Sequence, residues 1–197
     1  GDDDLDLYIV HAAGPGATEA WALDKLLRND GAGRFEEVSS WLSAEQRQGV
    51  SWSPAWADLD DDGDLDLFVA NADQASAGPS MLLENAGPSG GESWSFVDRS
   101  ADCGCTNNFN PMGVSPGDYD NDGDLDLFDA SGPLSDSPDQ VLDAQADRLL
   151  HNQGGTFIDI APELGLDQRG VGRGVTRAMF NDDGFPELVV VNLDGPS

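Results

Sequence analysis

The stretch Asp58-Leu-Asp-Asp-Asp-Gly-Asp-Leu-Asp66 puts an acid at positions 1, 3, 5, 7 and 9 of a short segment, with Gly63 at position 6. A carboxylate at every second residue suits a hard cation, because Ca²⁺ takes six to eight oxygens at about 2.3–2.6 Å and a short loop can wrap it. The glycine permits the sharp turn that brings the two ends of the loop around one ion. Without a cation the loop resists closing, since two carboxylates about 4 Å apart repel by roughly 4 kcal/mol at an effective dielectric near 20.

The motif recurs. Asp118-Tyr-Asp-Asn-Asp-Gly-Asp-Leu-Asp126 has the same phase and carries Gly123 at position 6. A third version, Met179-Phe-Asn-Asp-Asp-Gly-Phe-Pro-Glu187, is degenerate, and a partial one holds Asp2, Asp4 and Asp6. Position 9 falls at Asp6, Asp66, Asp126 and Glu187, a period of about 60 residues. The repeat units run approximately 1–57, 58–117, 118–178 and a partial 179–197. The chain begins in mid-loop at Gly1 with no methionine, and is expected to be part of a longer mature protein.

Four mostly apolar residues follow each loop: Leu7-Tyr-Ile-Val10, Leu67-Phe-Val-Ala70, Leu127-Phe-Asp-Ala130 and Leu188-Val-Val-Val191. Such a run is too short for a helix and does not alternate, which suits a strand covered on both faces. An EF-hand needs a helix there and a bidentate Glu at position 12, where this chain has Val69 and Asp129. A Gly/Pro/Ser-rich connection comes next. The segments beginning at Lys25, Leu82 and Leu149 then each reach an Asn/Gly turn and a Phe, the pattern of a hairpin. The middle hairpin carries an insertion, Pro88 to Trp94, expected in its loop. A last strand leads back to the next acidic loop. Its small residues share one parity (Ser53, Ala55, Ala57; Gly113, Ser115, Gly117; Gly174, Thr176, Ala178), so a neighbouring layer should come close to that face. Four short strands per repeat point to an all-β fold: a β-propeller fragment of about three blades of four antiparallel strands with Ca²⁺-binding loops.

Net charge is −29, with 38 acids against 9 Lys and Arg. This disfavours nucleic acid and anionic membrane surfaces as partners, and no apolar run is long enough for direct membrane insertion. The two cysteines, Cys103 and Cys105, are too few for a disulfide scaffold or a four-ligand zinc site, and are expected free or locally bridged. His151 aligns with Arg28 and Glu84, and His11 with Asn71, Ser131 and Asn192; both are expected exposed rather than catalytic. No Gly-x-Ser-x-Gly elbow occurs, and no catalytic residue is assigned. Trp21, Trp41, Trp52, Trp56 and Trp94 could form a ligand platform, but are expected in the core, Trp52 and Trp56 especially.

The combination Asp-x-Asp-x-Asp-Gly-Asp-Leu-Asp-Leu-Phe, with Gly-Val before it and Leu-Leu-x-Asn-x-Gly and Phe after it, resembles the FG-GAP/VCBS repeats of integrin-α-like propellers. It is also similar to the cartilage acidic protein family and related bacterial secreted proteins. The resemblance implies a seven- or eight-bladed Ca²⁺ propeller outside the cell, secreted or on the cell surface. Asp58, Asp60, Asp62 and Asp66 would ligate by side chain and Asp64 by its carbonyl; Asp118, Asp120, Asp122, Asp126 and the Asp124 carbonyl would do the same. Asn181, Asp183 and Glu187 remain in the loop led by Met179, where binding should be weaker or lost, and Asp2, Asp4 and Asp6 make half a site. The implied function is a non-catalytic propeller segment with structural calcium, serving adhesion or the binding of a protein or carbohydrate ligand. Missing blades of the parent chain would cover its open sheet faces. The alternative is the propeller portion of a calcium-dependent polysaccharide lyase or hydrolase.

Overall fold

The computed structural model describes residues 4–12, 23–72, 78–90, 93–106, 110–133, 145–181 and 183–192. Asp2, Trp21 and much of the Gly/Pro/Ser-rich connections lie outside these residues.

Among the described residues the strands form antiparallel meanders. β1 (Leu7–Ile9), β2 (Lys25–Asn29) and β3 (Phe35–Glu37) make the first sheet. The second holds β4 (Ser51–Ala57), β5 (Asp66–Asn71), β6 (Met81–Gly90) and β7 (Ser93–Asp98). The third repeats it with β8 (Pro111–Gly117), β9 (Asp126–Ser131), β10 (Arg148–Asn152) and β11 (Phe157–Asp159). β12 (Gly172–Ala178) and β13 (Glu187–Asn192) begin a fourth. These sheets are the blades of an all-β propeller, and the acidic loops ending at Asp66, Asp126 and Glu187 each join the first two strands of one blade.

The apolar runs fail to alternate because each is covered twice. Leu67 and Val69 of β5 pack with Tyr8, Leu26 and Val38 of the first blade, while Phe68 and Ala70 pack with Leu127, Leu150 and Phe157 of the third. β9 divides in the same way, with Phe128 and Ala130 turned to Val175, Leu188 and Val190. Every residue of β5 and β9 is buried. The outer faces of the terminal blades differ: Leu7, Ile9, Val189 and Val191 are exposed.

The small-residue face performs the expected close approach. β8 lies against both β4 and β12, and a Cβ on Gly113 would stand 2.8 Å from Gly174 Cα. Ser53 Oγ accepts the Val114 N–H at 3.4 Å across the β4–β8 contact.

Four expectations are corrected. The Pro88–Trp94 insertion is not a loop; it lengthens the hairpin, with β6 running on to Gly90 and Pro88 paired with Trp94. Trp52 is 41% exposed, because a register shift between Ser51 and Ser53 displaces it from the face it would share with Trp56. The same shift recurs at 111–113 and 172–174. Trp56 does join the core, edge-on to Tyr8 and tilted against Phe96. His11 is half-buried beside Asp24, which accepts the His11 N–H at 2.6 Å. His151 is not a solvent-facing residue either; it lies over the acidic loop of its own blade. Cys103 and Cys105 are both buried and disulfide-bonded to each other across Gly104.

Candidate metal centres

The two intact acidic loops have one conformation. Position 4 takes a left-handed backbone in both, at Asp61 and Asn121 (φ 61° each), and the glycines Gly63 and Gly123 follow with φ of 92° and 104°. Asp and Asn tolerate that region better than other side chains, and glycine enters it without steric cost.

Carboxylates then organise the backbone N–H groups. Asp58 accepts from Asp62 N at 3.2 Å and Gly63 N at 3.0 Å, and Asp62 accepts from Asp64 N at 2.9 Å. In the second loop Asp118 accepts from Gly123 N at 3.2 Å, Asp120 from Asp122 N at 3.2 Å and Asp122 from Asp124 N at 3.0 Å. The result gathers oxygens of Asp58, Asp60 and Asp62, and separately of Asp118, Asp120 and Asp122, each set within 4.8 Å of one another. In the second loop Asp118 Oδ1 is buried without a hydrogen-bond donor. Converging hard oxygens and an acceptor lacking a donor match what a divalent cation supplies. Asp64 and Asp124 contribute backbone N–H groups to the loop but no side chain to either cluster.

Position 9 has a second task. Asp66 is buried; its Oδ2 accepts Leu59 N–H at 3.0 Å and its Oδ1 accepts Asn85 N–H at 2.9 Å. Asp126 matches it with Tyr119 N and Asn152 N. Loss of hydration pushes the Asp66 carboxyl up to about 6, against the two N–H bonds that favour its anion, and burial also raises Asp126. Asp60 is raised too, by its own desolvation and by the neighbouring Asp62 charge.

The partner asparagines were legible only as turn residues, yet they clamp each hairpin to its loop. Asn29, Asn85 and Asn152 donate from Nδ2 to the carbonyls of Leu5, Leu65 and Leu125 at 3.3, 3.2 and 3.0 Å. Asn152 also reaches Leu59 O of the preceding blade at 2.8 Å. A Leu-Leu-x-Asn pattern recurring once in each of the first three repeats, 23, 19 and 26 residues after position 9, was the available signal.

The degenerate loops keep a hydrogen-bonded carboxylate at position 9 and lose donors. Asp6 accepts Asn29 N–H at 2.8 Å, and Asp4 lies against Gly31. Around Met179, Glu187 accepts Phe180 N–H at 2.7 Å and a bond from Asn181 Nδ2, and Asn181 and Asp183 accept the N–H groups of Asp183 and Phe185. Met179, Phe180 and Phe185 are exposed apolar side chains where the intact loops have polar ones or a sheltered Tyr or Leu.

Beside the first intact loop is a recess of about 290 Å³ lined by Asp60, Asp66, Glu84, Arg99 and Cys103, among others, and by Gly154 to Thr156 of the third blade. Arg99 spans it by a two-pronged bond to Glu84, at 2.7 and 2.9 Å. No described helix is long and apolar enough to cross a membrane.

Comparison with known proteins agrees with this geometry. The mouse and human proteins named cartilage acidic protein 1 are each 29% identical to the chain over 210 residues. The alignments take in all of this chain but only 30% of the mouse protein and 29% of the human one. The family model described as FG-GAP-like repeat matches twice, at residues 1–69 and 58–128, each match spanning one or more of the acidic loops. With that match over most of its length, the chain belongs to the FG-GAP-like repeat family.

Proposed function

We propose that this chain is a non-catalytic, calcium-stabilised portion of an extracellular β-propeller, secreted or held at a cell surface, that serves adhesion or ligand binding. The observation that carries the proposal is the pair of loops in which Asp58, Asp60 and Asp62, and Asp118, Asp120 and Asp122, bring oxygens together in a common backbone geometry. Asp66 and Asp126 complete the donor sets from the strand ends, and the carbonyls of Asp64 and Asp124 are the remaining candidates. Calcium would neutralise the mutual repulsion of these carboxylates and so hold the turn between the first two strands of each blade. The loops at Asp2, Asp4 and Asp6 and at Asn181, Asp183 and Glu187 would bind more weakly.

The ligand would be a protein or a carbohydrate, met by the surface rather than by a catalytic cleft. The open apolar faces at Leu7 and Ile9 and at Val189 and Val191 suit further blades, and the relatives are more than three times as long as the stretch they share with this chain. Calcium is tested by thermal unfolding with and without EDTA. One site held at 100-fold above its Kd stabilises by about 2.7 kcal/mol, or roughly 5–10 °C for a chain of this size. The melting temperature should fall on chelation and recover with calcium; no shift would end the calcium reading.

A further inference from the structure

The two intact loops differ at the strand that crosses them. Their neighbour is Glu84 in the second blade and His151 in the third, the residue just before the clamping asparagine in each case. Glu84 is drawn off by Arg99, at 2.7 and 2.9 Å. His151 turns onto its loop: Nδ1 lies 3.3 Å from Asp126 Oδ1 and 3.4 Å from Asp120 Oδ2. The three residues thereby offer one nitrogen and two oxygens within 4.8 Å of one another, a donor set distinct from that of Asp118, Asp120 and Asp122.

We propose that the third blade's loop is a mixed nitrogen–oxygen site for a borderline divalent transition metal such as Zn²⁺, while the second blade's loop remains an all-oxygen site. Ca²⁺ is bound by oxygen, whereas imidazole suits zinc, copper and nickel. The two separations from Nδ1 suit this: tetrahedral ligands at about 2.0–2.1 Å from zinc are about 3.3 Å apart, against 3.3 and 3.4 Å here, and the two carboxylate oxygens lie within 4.8 Å of each other. On binding, the metal takes the place of any proton between Nδ1 and the two carboxylates, and the ring keeps its Nε2 proton. The side chain of His151 is only 18% exposed and that of Asp126 2%, whereas that of Asp120 is 46% exposed. Two donors are therefore fixed by the fold, and the metal's remaining positions open toward water on the Asp120 side. Because Asp120 and Asp126 belong to both sets, zinc and calcium compete for this loop.

The inference rests on the loop being a cation site at all, so calcium is titrated in the same series. Untagged full chain is titrated with Zn²⁺ by calorimetry as wild type, His151→Gln, His11→Gln and Asp58→Asn. His151→Gln should weaken one equivalent of zinc at least about tenfold, with calcium binding to the second blade's loop unchanged; His11→Gln and Asp58→Asn should retain that equivalent. In wild-type protein the ¹⁵N signals of the His151 ring should shift with zinc and not with calcium. Zinc affinity indifferent to His151→Gln, or an unshifted His151 ring, would overturn the mixed site and leave the calcium reading intact. Zinc binding that depends on His151 in a chain that binds no calcium would do the reverse.

Discussion

Replacing Asn152 by Ala tests whether the asparagine clamp couples neighbouring blades. Asn152 is 2% exposed; its Nδ2 donates to Leu59 O at 2.8 Å and Leu125 O at 3.0 Å, and its Oδ1 accepts Gly155 N–H at 2.8 Å. The substitution leaves two carbonyls and one N–H without this partner, the Leu59 carbonyl in a buried place and the other two groups partly buried. At about 1 kcal/mol for each net bond, and 1–3 for a buried group left unpaired, the cost is about 3–5 kcal/mol. Asn85 makes the same turn but reaches only Leu65 O and Gly87 N, at 3.2 and 3.1 Å, where water can replace it. Its alanine variant should cost about 1–1.5 kcal/mol. The difference, about 1.5–4 kcal/mol, separates the two melting temperatures by about 3–16 °C for a chain of this size. Because Leu59 lies between Asp58 and Asp60, Asn152→Ala should also weaken calcium at a loop 93 residues away in sequence. Thermal unfolding by circular dichroism in excess calcium, followed by calcium titration, gives both numbers. Equal melting temperatures for the two variants would refute the inter-blade role.

Asp129 and Arg148 form a fully buried ion pair where the second blade has Val69 opposite Met81. Asp129→Val or Arg148→Met alone should cost about 3–5 kcal/mol in urea unfolding, and the double variant should return to within about 1 kcal/mol of wild type; a double variant as weak as the singles contradicts this. Burial pushes the Asp147 carboxyl up to about 6, against the bond it accepts from Ser131 N–H. A raised carboxyl favours the folded state below the unfolded value near 4, and that contribution is lost as pH rises through 6. Asp147→Asn keeps an acceptor without titrating, so its melting temperature should gain on wild type between pH 4 and 6; parallel profiles would dismiss the effect. Gly113→Ala sets a methyl group 2.8 Å from Gly174 Cα and 3.0 Å from Val175 N and should cost about 1–3 kcal/mol. Gly174→Ala meets nothing within 4 Å and should cost less than 1 kcal/mol, both read from urea midpoints.

The blade plan was legible because its signals are local. Alternate residues of Leu67 to Ala70 serve two different neighbours, which is why a short run without polar alternation suited a strand covered twice. The small parity of β4, β8 and β12 likewise announced a close contact, and Gly113 against Gly174 is that contact. His151 was misjudged for a physical reason. Comparing it with Arg28 and Glu84 averages three residues that each answer a different partner: Glu36 for Arg28, Arg99 for Glu84, and the loop carboxylates for His151. Trp52 was misjudged because alternation assumes an unbroken ladder, and the register shift beside it interrupts the count. The reach of Asn152 to Leu59 depends on the packing of two repeats, which no single repeat encodes.

The position-9 carboxylate has a consequence for how such a chain can change. Asp66 sits at the start of β5, takes an N–H from the segment that follows β4 with one oxygen, and takes an N–H from β6 with the other. A slip of one residue in β5 would cost both bonds, and a slip in either neighbour would cost one, while every side chain of the slipped strand would turn to the opposite face. Each repeat therefore carries its own alignment mark beside its loop, independent of what happens farther out. The second blade shows the freedom this leaves: β6 and β7 have grown past Pro88 while Leu67 still faces Leu83. Additions at the outer hairpins should be tolerated in any blade, while a deletion of one residue between positions 1 and 9 should not.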